Sequence, residues 1–269
     1  MTASAARPTV ASMSGRVHTK RRPDAPEGFF EAEAAGLAWL AEAGGAAVVR
    51  VIAVERGRID LEALELVRPT EAHARAFGAA LAVTHDAGAA AFGVPPDGYR
   101  GPTFLGNQEL PTRIAGWSEW GAFYAEARVL PYARRAADRG HLGGAELRLV
   151  ERACDLIASG DLDDDEPPAR IHGDLWNGNV QWTPSGAVLI DPAASGGHRE
   201  TDLAMLALFG CPFLSAVYEA YGDAHPLRPG WEERIPLHQL HPLAVHAASH
   251  GPSYAASLVA AAHSVLDGS

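Results

Sequence analysis

HGDLWNGN, residues 172–179, sets one carboxylate, Asp174, behind a His-Gly pair and five residues ahead of Asn179. An apolar pair, Leu175 and Trp176, follows the carboxylate directly. A plain polar turn has no use for that spacing. A loop that folds back so that a carboxylate and an amide enter one cavity does, and Gly178 suits such a reversal because glycine tolerates backbone conformations closed to other residues. Downstream, AVLIDPA (187–193) reads as a short strand that ends in a second carboxylate, Asp191.

Asp174 and Asn179 stand at the D-x-x-x-x-N spacing of a kinase catalytic loop. The chemistry needs that arrangement: the aspartate orients an acceptor hydroxyl and takes its proton, while the asparagine carbonyl reaches Mg2+. Asp191 falls where such enzymes keep their metal-binding aspartate. Magnesium takes a few hard oxygen ligands besides phosphate oxygens, and one carboxylate with one amide oxygen supplies them. Each element alone is common; in this order and interval they are specific.

Outward from this centre the chain divides. Before residue 67, GRVHTK (15–20), AAVVRVIAV (46–54) and RIDLEALEL (58–66) read as strands. Between the first two, EGFFEAEAAGLAWLAEAGG (27–45) reads as a helix, with Phe30, Ala34, Leu37, Ala38 and Ala41 at helical spacing and Gly44-Gly45 to end it. Later segments are mostly helical: 70–88, Trp117 to about Arg139, 144–159, and about Glu200 to Leu208. The expected fold is α+β and two-lobed, with a small strand-rich N-lobe (1–67) and a larger, mainly helical C-lobe (68–269) carrying a short strand pair in its middle.

Composition narrows the partners. The 269 residues are 47% hydrophobic and 20% charged, ordinary for a globular chain. A net charge of −11, with Lys20-Arg21-Arg22 as the one tight basic run, argues against nucleic acid. No stretch approaches the ~18 apolar residues of a membrane span, and MTASAARPTV lacks a signal-peptide core. Two cysteines and no C-x-x-C pattern fit a reducing cytoplasm.

HGDLWNGN, LIDPA and GGHRETDLAM (196–205) together resemble the signature of the fructosamine/ketosamine kinase family, a relative of aminoglycoside phosphotransferases with the protein-kinase-like fold. FFEAEAAGLAWL (29–40) and WSEWGAFYAEARVLPYARRA (117–136) extend the resemblance over most of the chain from about residue 20. The tryptophan in H-G-D-L-W-x-G-N is its most specific element. The resemblance implies ATP and Mg2+ as cofactors, with Asp174 as catalytic base and Asn179 and Asp191 as metal ligands. It makes Lys20 the strand lysine on the nucleotide phosphates and Glu33 its helix partner, with Glu31 a close rival. Glu65 and Leu66 fall at the hinge that meets adenine, Trp176 and His246 near the substrate. His172 and Asp202 brace the catalytic loop.

One departure stands out. The family joins two N-terminal strands by a glycine-containing loop over the phosphates, whereas MTASAARPTVASMS contains no glycine. The loop is expected to be missing, shortened or replaced, with a weakened phosphate grip, the alternative being a true start site further upstream.

Other signals read blandly. His238, His241, His246 and His250 have no acidic or cysteine partner at zinc-motif spacing, so lining of a substrate pocket is their expected role. DLDDDE (161–166) reads as a solvated loop, Cys154 and Cys211 as apolar fillers, and His85-Asp86 as a dipeptide without partners. GWSEWG misses the nucleophile-elbow spacing by one residue, and no Walker A or G-x-G-x-x-G sequence occurs. The leading expectation is an ATP-dependent kinase of a ketosamine, such as a fructosamine or ribulosamine adduct of an amine or lysine. The alternatives are a degenerate nucleotide-binding or regulatory protein and an aminoglycoside or amino-sugar phosphotransferase.

Overall fold

A computed structural model describes residues 17–268; the expected loss of a glycine loop before residue 15 lies outside them. Strand β1 (Val17–Arg21) pairs antiparallel with β4 (Arg58–Glu62), and β4 pairs with β3 (Val51–Glu55), giving the order β1-β4-β3. Ile59 and Leu61 of β4 are buried against helix α1 (Phe29–Glu42), where they meet Phe30 and Leu37. The expected stripe on α1 is partly displaced: Trp39 and Leu40 are buried, while Ala38 and Ala41 are exposed. Trp39 is held by the Arg170 guanidinium 4.4 Å above its ring and by a 3.0 Å hydrogen bond to Asp97.

The segment 46–54, read as one strand, is two. Strand β2 (Ala47–Val48) pairs in parallel with β9 (Gly186–Leu189), and the Val49 N–H extends this pairing to the Leu189 carbonyl at 2.9 Å. One residue later the Arg50 carbonyl accepts from Glu62, and β3 has changed partner. No glycine or proline marks the switch; only the tertiary partner does. β9 also pairs with β8 (Val180–Thr183), so the strand that ends just before Asp191 is flanked by both halves of the chain.

After β4 the chain crosses an irregular connector, pinned by Val67 N–H to the Trp182 carbonyl at 2.8 Å. It then enters α2 (Glu71–Asp86), whose first turn is capped by Thr70. The hairpin of β5 (Thr103–Leu105) and β6 (Gln108–Leu110) follows. The helix read over 117–139 comes in three parts: α3 (Trp120–Phe123), a π-helical stretch (Tyr124–Val129) and α4 (Leu130–Asp138). Pro131 has no N–H to give back to Ala127, so the α ladder lapses there. The buried Arg128 side chain donates to that carbonyl instead, at 3.2 Å.

Helix α5 (Gly144–Ala158) buries Leu149, Val150, Ala153, Cys154 and Ile157, one helical face, into the largest core. β7 (Ala169–Ile171) leads into HGDLWNGN and pairs with β10 (Ser195–Gly197), which follows Asp191. That pairing lays the two functional loops side by side. Helices α6 (Arg199–Leu208), α7 (Leu214–Ala224), α8 (Ile235–His250) and α9 (Ala255–Asp267) complete the larger part. Pro242 inside α8 leaves the His238 carbonyl without its helical donor, and the buried Tyr124 hydroxyl donates to it at 2.7 Å. The architecture is mixed α and β, strand-rich first and helical after. No helix among the described residues is long and apolar enough to cross a membrane.

Candidate active site

Ile171 hands the chain to the loop with its side chain in the core, and the backbone then turns at Gly173, whose φ of +79° is the left-handed region that favours glycine. Leu175 is fully buried and anchors the turn. Asp174, just ahead of it, faces the cleft. Residues 177–179 form one 3-10 turn that brings Asn179 back onto Asp174. The Asn179 amide nitrogen donates to the Asp174 carbonyl at 2.8 Å and to its carboxylate at 3.0 Å, leaving the amide oxygen as the end available to a cation. Gly178 serves a purpose beyond the reversal: a Cβ there would stand 2.2 Å from the Trp176 indole, which folds over it.

Burial raises the Asp174 carboxyl to about 7, with the charges of Asp191 and Asp202 adding to the rise and the Asn179 hydrogen bond opposing it. Asp191 also adopts the left-handed region, at φ 55°, uncommon for a residue before proline. Lys20 reaches between Glu33, at 2.7 Å, and Asp191 in closer contact still. Burial works against the ammonium, but the Glu33 and Asp191 charges outweigh it and hold Lys20 above its usual value. Of the two glutamates, it is Glu33 that pairs with Lys20.

Behind the loop lies Asp202, 1% exposed. Its two oxygens accept the backbone N–H groups of His172 and Gly173 at 2.7 and 2.9 Å. Burial opposes its ionisation, yet the His85 hydrogen bond and the loop N–H groups keep it below the ordinary aspartate value. His172 accepts the Asp174 N–H through Nδ1 and donates from Nε2 to the Ile190 carbonyl at 2.9 Å, so the ring is the neutral Nε2–H tautomer. It ties the two functional loops together.

His85 donates from Nε2 to Asp202 at 3.2 Å and accepts the Tyr221 hydroxyl at 2.8 Å; that hydroxyl in turn accepts from Arg199 at 3.1 Å. Read from the sequence, His85-Asp86 had no partners. In the structure His85 supports the loop's brace and Asp86 pairs with Arg199 at 3.0 Å. The separations of 117 and 136 residues to Asp202 and Tyr221 leave no local signal.

Two cavities open over Asp174. One, of about 440 Å³, is lined by Lys20, Phe29, Glu33, Asn179 and Asp191 on its far side. The other, of about 530 Å³, runs toward Phe209, His246, His250 and Tyr254. Gly106, Asn107, Asp174 and Trp176 line both. Trp176, 41% exposed, is therefore cavity wall and not core packing. Glu65 and Leu66 lie in the connector after β4, both exposed, and neither lines these cavities.

Two expectations are corrected. Of the four histidines, His246 and His250 line a cavity, but His238 and His241 are core residues. His238 sits with His198 and Glu200, their ligating atoms within 4.8 Å of one another. Arg234 already neutralises Glu200, at 2.5 Å, and Asp164, at 3.1 Å, so the cluster is a closed ion-pair network. The DLDDDE run is not merely solvated: Asp164 also pairs with His198 at 3.0 Å, and the buried Glu166 carboxylate with Arg199 at 3.1 Å. A hydrogen bond from His198 and the charges of Arg199, Arg228 and Arg234 draw the run inward. Cys154 and Cys211 are unpaired and buried, and burial pushes their thiols up to about 12 and about 11.

The family described as fructosamine kinase matches residues 6–267. A Thermus thermophilus protein named "Probable ketoamine kinase" is 36% identical over 245 residues, 91% of this chain and 85% of its own. A Thermobifida fusca crystal structure, of a protein provisionally named fructosamine-3-kinase, is 47% identical with a TM-score of 0.87, covering 94% of this chain and 86% of that one. A choline/ethanolamine kinase family protein of Mesorhizobium loti, 17% identical, aligns at a TM-score of 0.56 over 88% of this chain and 80% of that one, a likeness of fold alone. The fold is the protein-kinase-like one.

Proposed function

Since this chain belongs to the fructosamine kinase family, as a phosphotransferase with an alcohol group as acceptor, we propose that its donor is Mg·ATP and its acceptor a sugar hydroxyl of a ketosamine. The observation that carries the reading is convergence: Lys20, Glu33, Asp174, Asn179 and Asp191, drawn from across the sequence, line one cavity. Four of them would serve a nucleotide-binding protein equally well; Asp174 beside them is the group that only transfer to an acceptor requires.

The residues divide the work. Asp174 orients the acceptor hydroxyl and takes its proton as the new ester bond forms. Lys20, held by Glu33, meets the donor phosphates, and the connector with Glu65 and Leu66 receives adenine through its backbone. The Asn179 amide oxygen and the Asp191 carboxylate are the hard donors that would hold Mg2+, which neutralises phosphate charge. His172 and Asp202 keep Asp174 in place without touching substrate. Catalysis of this kind is mostly positioning and charge neutralisation. An ATP-consuming reaction and two unpaired thiols fit a cytoplasmic setting.

ADP release measured on fructosamines, ribulosamines and an amino sugar, each with Mg·ATP, tests this. Turnover on the ketosamines supports the reading. Turnover confined to the amino sugar moves the acceptor to the related class, and absence of Mg·ATP binding removes the kinase assignment.

A further inference from the structure

The second cavity is walled by rings. Trp176 and Phe209 stand edge to face with centroids 6.1 Å apart, and Phe209 lies 4.8 Å from His246. His246 stacks on His250 at 5.1 Å and lies 5.0 Å from Tyr254. These five side chains come from the catalytic loop, the end of α6, the C-terminal half of α8 and the turn before α9. Burial holds His246 below its usual value, which favours the neutral ring. Apart from Asp174, at the mouth, the lining residues include no Asp, Glu, Lys or Arg.

This wall begins where the first cavity ends. Asp174 and Trp176 belong to both, with Lys20, Asn179 and Asp191 on the other side. An acceptor whose hydroxyl meets Asp174 and points toward those phosphate-side groups directs its remaining bulk toward the rings.

We propose that the ring-lined cavity binds the amine-borne substituent of the acceptor and selects flat, apolar or aromatic substituents with no carboxylate beside the nitrogen. The inference deepens the proposed function and rests on it. Aromatic faces stack on a flat substituent and attract a protonated amine at its edge. A carboxylate beside that nitrogen would enter a cavity with no fixed cation to receive it and would lose its water.

The test compares kcat/KM for the fructose adducts of benzylamine, methylamine and glycine, all with Mg·ATP, in the wild type, Phe209→Ala and Phe209→Leu. Wild type favours the benzylamine adduct over the methylamine adduct by about tenfold, the weight of an aromatic contact, with the glycine adduct poorest. Phe209→Ala collapses the benzylamine-to-methylamine ratio toward one, and Phe209→Leu retains part of it. Each ratio is taken on one enzyme preparation, so partial misfolding cancels. Turnover of all three adducts at equal kcat/KM, or a ratio unmoved in Phe209→Ala, overturns the inference and leaves the ketosamine kinase reading intact. Absence of turnover on every adduct overturns both.

Discussion

On one wall of the cleft Lys20 lies between Glu33 and Asp191, side chains that keep 23%, 12% and 41% of their surface exposed. Behind the other, Asp202 is sealed in and accepts hydrogen bonds from His85, His172 and Gly173. Three partly exposed charges can exchange partners: when a phosphate arrives, the ammonium can turn to it with Glu33 still beside it. The sealed brace has no such freedom, since any group removed leaves buried donors or acceptors unmet. On the proposed reading the cleft thus joins an adaptable phosphate side to a fixed loop around Asp174, and variants on each side should fail differently.

The largest effect belongs to the loop itself. Asp174→Asn should lower kcat by about a thousandfold while ATP affinity, read by calorimetry, changes little. Asp202→Ala should come next, because it strands two backbone N–H groups and the His85 ring in the interior. A loss of about 3 kcal/mol in urea unfolding is expected, against well under that for Glu33→Gln at the wetter wall. Equal losses at the two positions would erase the distinction between the walls. Glu33→Gln should raise KM for ATP by about tenfold, one charge-assisted contact's worth, with kcat affected less.

The smallest effect concerns pH. Asp174 has a folded-state value of about 7, above its ordinary 3.8. The folded state therefore binds more protons than the unfolded chain between those values, and its stability falls as pH rises from about 4 to 7. Without Mg2+ or ATP, Asp174→Asn should be more stable than wild type above pH 7, by on the order of 1 kcal/mol. The gap should close toward pH 4. A gap that widens on acidification would mean that Asp174 is stabilised, not strained, by its surroundings.

What the sequence made readable was contiguous or ordered. HGDLWNGN carries the proposed base and one proposed metal ligand within eight residues, and Asp191 closes a strand whose apolar run announces it. Lys20 and Glu33 could be named from their order, but Glu31 and Glu33 lie about 200° apart around a helix. Only the helix start after Gly28 decides which of them faces Lys20. The brace was half legible. Asp202 and Arg199 stand in a recognisable segment, whereas His85 and Tyr221 join them only through the packing of α2 and α7 against α6. The acidic run was misread for a similar reason: consecutive like charges look solvated until their partners, His198 and the arginines at 199, 228 and 234, are folded against them.

The central claim is that Asp174 drives transfer to a ketosamine across this cleft. Single-turnover transfer of a radiolabelled γ-phosphoryl group to a fructosamine, comparing wild type with Asp174→Asn at saturating Mg·ATP, tests it most directly. The account predicts a labelled sugar phosphate ester from wild type and about a thousandfold slower formation in the variant. Equal rates in the two proteins, or label released only as inorganic phosphate, would contradict it.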